Sequence, residues 1–187
     1  MGQLYSVLQA PEVCDLSPEQ LEELRMLTLL PIEDIIHFRN RYRIFCPDDV
    51  LTKEIFFSIP AMNPLKERLF SLFELNSDGN VSFNAFIQVM ATFTYHSTRE
   101  SKLRVAFKIH DIDGDNQVSK ADLIAYMRLV TDFGEMPSEE IDKDLELAAT
   151  RALEEASSDP STESLSFDDF SKVVLTTDFE TKLLIQI

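Results

Sequence analysis

Apolar residues recur along this chain at three- and four-residue intervals, interrupted by short polar segments, which is the pattern of amphipathic helices joined by loops. "SPEQLEELRML" begins with Ser17 as an N-cap, Pro18 at the first helical position and Gln20 three places after the cap. Leu21, Leu24, Leu27 and Thr28 then fall on one face. "PIEDIIHFRNRYRIF" opens with Pro31 and carries Ile32, Ile35, Ile36, Arg39 and Tyr42 at helical spacing. "NPLKERLFSLF" sets Leu65, Leu69, Leu72 and Phe73 on one stripe, and "SKLRVAFKIH" does the same with Leu103, Ala106, Phe107 and His110. The spacing predicts an all-α fold.

The segments between these helices repeat. "FELNSDGNVSFNAF" and "HDIDGDNQVSKADL" superpose without a gap, Glu74 on Asp111, Val81 on Val118 and Phe86 on Leu123, an offset of 37 residues. Helix, polar 12-residue loop and helix, with an apolar residue at loop position 8, is the EF-hand arrangement. Two weaker copies fit the frame, with loops at 44–55 (Leu51 at position 8) and 158–169 (Leu165 at position 8). Four hands in two pairs are therefore expected, with short loop-to-loop β contacts joining Leu51 to Val81 and Val118 to Leu165. The pairs span 17–95 and 103–177, after an N-terminal arm at 1–16, with a polar linker at 96–102 and an apolar tail at 178–187. "DFGEMPSEEIDKD" separates the third hand from the fourth, with Ser138 as the expected cap of the next helix.

A hard cation needs about six or seven oxygens, taken from loop positions 1, 3, 5, 7, 9 and 12. The loop 111–122 provides Asp111, Asp113 and Asp115, the Gln117 carbonyl, Ser119 and Asp122 at those places. Position 6 is Asn116 where Gly is usual, and Asn tolerates positive φ best among the other residues. Position 12 is Asp, one methylene shorter than the usual Glu, which favours six-coordinate geometry and makes Mg²⁺ a competitor of Ca²⁺. One Ca²⁺ or Mg²⁺ is expected there. The loop 74–85 ends in Ala85 and should bind poorly; the loop 44–55 has Ile44 and Ile55 at its ends and Cys46 at position 3. The loop 158–169 has Ser158, Pro160 and Thr162 at positions 1, 3 and 5, and Glu163 where the turn wants Gly. No ion is expected in either of the last two.

Charge narrows the partners. Thirty-three acids against 17 bases leave a formal charge of −16, which disfavours nucleic acid or an anionic membrane surface and suits a cation or a basic helix. Two cysteines, Cys14 and Cys46, are too few for a disulfide framework or a zinc site, so a reduced, cytoplasmic setting is expected. No apolar run is long enough to span a membrane and the start lacks a secretion signal. "MGQLYS" does fit N-myristoylation at Gly2, with Ser6 in place, so peripheral attachment at the inner face of the plasma membrane is an expectation. A single acyl chain holds only marginally.

Over its whole length the chain resembles the calcium- and integrin-binding proteins, and more distantly the regulatory calcineurin B proteins. The resemblance rests on "LTLLPIEDI", "NPLKERLFSLF", "AFKIHDIDGDN" with "KADL", and "TDFETKLLIQI". Asp122 at position 12 and the N-terminal Gly2 are themselves traits of the integrin-binding group. The resemblance implies a metal site at 111–122, empty first and second loops, and a regulatory role without catalysis. The group also uses its fourth hand, from which the loop 158–169 departs. Calcineurin-type subunits normally keep four working loops, and for that reason the integrin-binding group is the nearer match.

Function follows as an expectation: a Ca²⁺/Mg²⁺-binding regulatory protein that takes an amphipathic helix of a membrane-protein tail or signalling protein into an apolar groove. "ADLIAYMRLV" puts Leu123, Tyr126, Met127 and Val130 on the helix leaving the metal loop. The tail "DFETKLLIQI" is expected to pack into that groove until a partner displaces it. The alternatives are a calcineurin B-like regulatory subunit of a protein phosphatase and a small Ca²⁺/Mg²⁺ buffer. His37, His96 and His110 lie in separate segments, and no nucleophile elbow, phosphate loop or zinc motif occurs, so no enzyme is expected. His110 is read as a packing residue and a monomer is favoured.

Overall fold

A computed structural model describes residues 14–59, 65–157 and 163–176. Within them the chain runs through α1 (Pro18–Thr28), α2 (Ile32–Phe45), α3 (Lys53–Ser58), α4 (Lys66–Phe70), α5 (Phe83–Thr92) and α6 (Arg99–His110). It continues as β1 (Val118–Ser119), α7 (Lys120–Val130), α8 (Ser138–Ala156), β2 (Ser164–Leu165) and α9 (Phe167–Val174). This is the all-α EF-hand fold with short β contacts. No helix among the described residues is long and apolar enough to cross a membrane.

Both loop pairings join the expected residues. Leu51 and Val81 exchange backbone hydrogen bonds of 3.1 and 2.9 Å, and β1 pairs antiparallel with β2 in the register Val118 to Leu165. All four side chains are buried, because position 8 points away from the ligand ring into the core of its pair. Two cores result. The first gathers Leu24, Ile35, Phe38, Tyr42, Phe56, Phe70, Phe73 and Ile87. The second gathers Ala106, Phe107, Leu153, Ala156 and Phe170 around Val118 and Leu165. Aromatic edges do much of the first core's packing: Phe56 meets Phe70 and Phe73 at 5.5 Å, and Tyr42 meets Phe83 and Phe86 at 5.2 Å. Such pairs contribute about 0.5–1.5 kcal/mol each beyond their buried area.

Local signals decide where helices begin. The Ser17 hydroxyl accepts the Gln20 amide while Gln20 Oε1 accepts the Ser17 amide, so the expected capping box is present. Several expectations need correction. Leu27 and Ile32 are exposed, and Phe38 and Phe70 are core residues that the stripes left out. The helix in "NPLKERLFSLF" extends only from Lys66 to Phe70, since the chain must leave helical geometry before loop 74–85. Segment 96–102 is only half linker: Thr98 caps α6, which starts at Arg99. Ser138 lies inside α8, after Pro137, rather than capping it. The proposed tail 178–187 and Gly2 fall outside the described residues.

Candidate metal centre

The loop 111–122 starts at the end of α6 and finishes three residues into α7, so its first and last acids are carried by helix ends. Asp111, Asp113 and Asp115 each direct a carboxylate oxygen into one cluster, with all three within 4.8 Å of one another. Three like charges stay together because backbone amides face them. Asp111 Oδ1 accepts the Gly114 amide at 2.8 Å and its Oδ2 the Asn116 amide at 3.1 Å. Asp113 Oδ1 accepts from Asp115 at 3.2 Å, and Asp115 Oδ1 from Gln117 at 2.8 Å. These bonds leave further lone pairs on every carboxylate.

Asp122 closes the loop from the far side. Its Oδ1 accepts the amides of Ile112 at 2.9 Å and Asp113 at 3.3 Å, while Oδ2 accepts the Ser119 amide at 2.9 Å and hydroxyl at 2.5 Å. Burial pushes this carboxyl up, but the hydrogen bonds from Ser119, Ile112 and Asp113 outweigh it and hold it below the usual carboxylate range. The group is therefore ionised and aimed. An acidic, all-oxygen donor set of this kind fits a hard divalent cation.

Position 6 takes left-handed backbone in three loops, at Asp49 (φ 63°), Gly79 (φ 76°) and Asn116 (φ 65°). Position 9 caps the exiting helix in all four: Thr52, Ser82, Ser119 and Ser166 each accept the amide three residues on. The S-x-x-D spacing at 119–122 and 166–169 is a legible cap signal that ligand counting alone passes over. The left-handed turn is thus common to the loops 44–55, 74–85 and 111–122, and what separates these three is the donor set.

In the loop 74–85 the Asn76 Oδ1 accepts the amides of Asp78 and Asn80 at 3.0 and 2.9 Å, holding the turn with no acid at position 12. The loop 44–55 meets a cation from the chain itself, at Asp49. Arg39 is only 4% exposed, and its guanidinium donates to Asp49 at 2.5 Å and to both oxygens of Asp15 at 2.8 and 2.7 Å. It also stacks 4.8 Å from the Phe83 ring centre. Cys46 is a buried thiol whose pKa burial pushes up to about 11, with Asp49 adding to the shift, so it stays protonated. Of the loop 158–169, residues 158–162 lie outside the description; Asp169 accepts from the Ser166 hydroxyl and pairs with Lys172 at 3.0 Å.

No protein-family model matches the chain. It is similar to the calcineurin B of Naegleria gruberi, 31% identical over 176 residues that cover 92% of this chain and 96% of that one. The chain belongs to the calcineurin B family. The calcineurin B of Candida glabrata is 31% identical over 82% of this chain and 87% of its own. Calcium and integrin-binding family member 2 of Danio rerio is 28% identical over 83% and 87%. Both resemblances seen in the sequence are therefore met, but their expected order is corrected: the Naegleria gruberi calcineurin B gives a longer and more identical match than the integrin-binding relative. This member of the calcineurin B family is a calcium-binding EF-hand regulatory protein, and its relatives are regulatory proteins rather than catalysts.

In this calcineurin B family chain the residues of the expected groove do not share one environment. Leu123 packs on the second core, Tyr126 and Met127 are half-buried, and Val130 is 41% exposed beside Leu129. Tyr126 stacks on His110 with ring centres 4.0 Å apart. Burial pushes the His110 imidazole below the usual histidine range, against the bond of its Nδ1 to the Ala106 carbonyl at 2.7 Å. His110 also faces Phe170, the surroundings of a packing residue. Arg68, which no sequence signal singled out, donates from α4 to carbonyls at the start of the metal loop.

Proposed function

We propose that this chain holds one Ca²⁺ or Mg²⁺ in the loop 111–122 and uses it to regulate binding of a partner's amphipathic helix. Asp111, Asp113, Asp115, the Gln117 carbonyl, Ser119 and Asp122 hold the ion. The gathering of three carboxylates within 4.8 Å, closed by an ionised Asp122, carries the reading. Bound there, the ion supplies charge neutralisation and rigidity, not chemistry on a substrate.

The partner reading is supported by α7, whose outer end exposes Leu129 and Val130 while Tyr126 and Met127 are half-covered. The relatives' names point to two classes of partner, a companion chain for a protein called a subunit and an integrin for the integrin-binding relative. A cytoplasmic location, with reversible attachment to a membrane through myristoylated Gly2, completes the proposal.

Calorimetric titration of Ca²⁺ and of Mg²⁺ tests the site: one ion per chain in the wild type and none after Asp111→Ala is expected. More than one ion per chain overturns the assignment. An apolar dye then separates regulator from buffer. Its fluorescence rises on Ca²⁺ addition if the ion opens an apolar face, and equal signals in Ca²⁺ and chelator favour the buffer. Intact-mass measurement of the protein and of Gly2→Ala after coexpression with an acyltransferase tests lipidation.

A further inference from the structure

The end of α6 is built by two residues distant in sequence. In a continuing helix the amides of Ile112 and Asp113 would bond to the carbonyls of Lys108 and Ile109, four residues back. Asp122 Oδ1 takes those two amides instead, at 2.9 and 3.3 Å. The two deserted carbonyls are met by Arg68, whose guanidinium donates to Lys108 at 2.6 Å and Ile109 at 3.2 Å. The same guanidinium donates to the carbonyls of Asp111 and Ile112, the latter at 3.1 Å.

Two consecutive peptide units are consequently strung between these side chains. The unit joining Asp111 to Ile112 gives its carbonyl to Arg68 and its amide to Asp122; the next unit, joining Ile112 to Asp113, does the same. A peptide group is a rigid plane, so moving one edge moves the other. Hydrogen bonds in series also polarise one another, and a cationic donor at one end strengthens the amide donors at the other. Arg68 stands on α4, and its neighbour Phe70 is buried among Phe56, Phe57 and Phe73 in the first core, with ring centres 5.5 to 6.2 Å away.

We propose that Arg68 is a positioning residue that couples the metal loop to the N-terminal pair: a cation that draws on Asp122 shifts the two peptide planes, and the shift reaches α4 through the guanidinium. The inference rests on cation binding in loop 111–122 as proposed above, and it makes the metal-free first pair responsive to an ion held in the second. Arginine is required because a single planar fork must meet four carbonyls, whereas lysine keeps the charge without the fork.

Hydrogen exchange read by mass spectrometry on the full chain, with saturating Ca²⁺ and with chelator, tests it. In the wild type Ca²⁺ is expected to slow exchange in 111–122 and also in 66–73, whose Leu69, Ser71, Leu72 and Phe73 amides are hydrogen-bonded. In Arg68→Lys, protection of 111–122 is retained and the Ca²⁺-dependent part in 66–73 is lost; Arg68→Gln gives the same result should the lysine variant fail to fold. Wild type with a protected loop but unchanged 66–73 overturns the coupling, as does a variant that keeps the full effect there. A wild-type loop unprotected by Ca²⁺ instead overturns the metal reading, and this inference falls with it.

Discussion

Asp122 Oδ1 accepts the Ile112 amide at 2.9 Å, so the acid at loop position 12 is anchored to position 2 by its own chain. With its second oxygen bonded to Ser119, this short carboxylate has limited freedom to give both oxygens to one ion. Asp122→Glu is therefore expected to tighten Ca²⁺ binding by about tenfold while changing Mg²⁺ far less, because only the larger ion accepts a bidentate ligand easily. Titration calorimetry with both ions checks it, and Asp122→Ala should abolish the Ca²⁺ heat.

The position 9 caps permit a controlled comparison. Ser82→Ala and Ser119→Ala each remove a side-chain acceptor from a helix start and should each lower stability by about 1 kcal/mol in chelator. Only Ser119→Ala should also weaken Ca²⁺ binding. Urea unfolding combined with calorimetry separates the two effects.

Left-handed backbone at position 6 gives opposite expectations in two loops. Asn116→Gly should stabilise the metal-free protein by about 0.5 kcal/mol, since glycine carries no Cβ penalty at φ 65°. Asp49→Gly relieves the same strain at φ 63° but removes a carboxylate from buried Arg39, so it should destabilise. Thermal unfolding of the two variants in chelator tests the contrast in sign.

The Arg39 cluster sets an acid limit on the first pair. Hydrogen bonding from Arg39 holds the Asp15 carboxyl below its ordinary value of 3.8, against the opposing effect of burial. A depressed carboxyl contributes stability that is present above its unfolded value and lost as pH falls through its folded value. Asp15→Asn should thus lower stability at pH 7 by about 1 kcal/mol, a figure reduced by the half-exposed carboxylate. It should also flatten the acid limb below about pH 4. Circular dichroism from pH 7 to pH 2 in chelator reads both.

What the sequence determined by itself is what depends on spacing along one segment. Ligand places 1 to 12, the Ser17 capping box and the position 8 partners are separated by a few residues or by one repeat, and loop and helix geometry convert that spacing directly into position. The tertiary structure alone decided the roles of Arg39 and Arg68, and which apolar residues of each stripe are covered. Arg39 meets Asp15 across 24 residues and Arg68 meets Asp111 across 43. No period in the chain encodes such distances. Spacing puts Arg39 among the apolar positions of its helix, but only packing shows which carboxylates or bare carbonyls stand opposite an arginine, and burying its charge is tolerable only where they do. Leu27 and Phe70 make the same point for apolar groups: helical period put Leu27 on a covered face and left Phe70 off one, and the neighbouring elements decide the reverse.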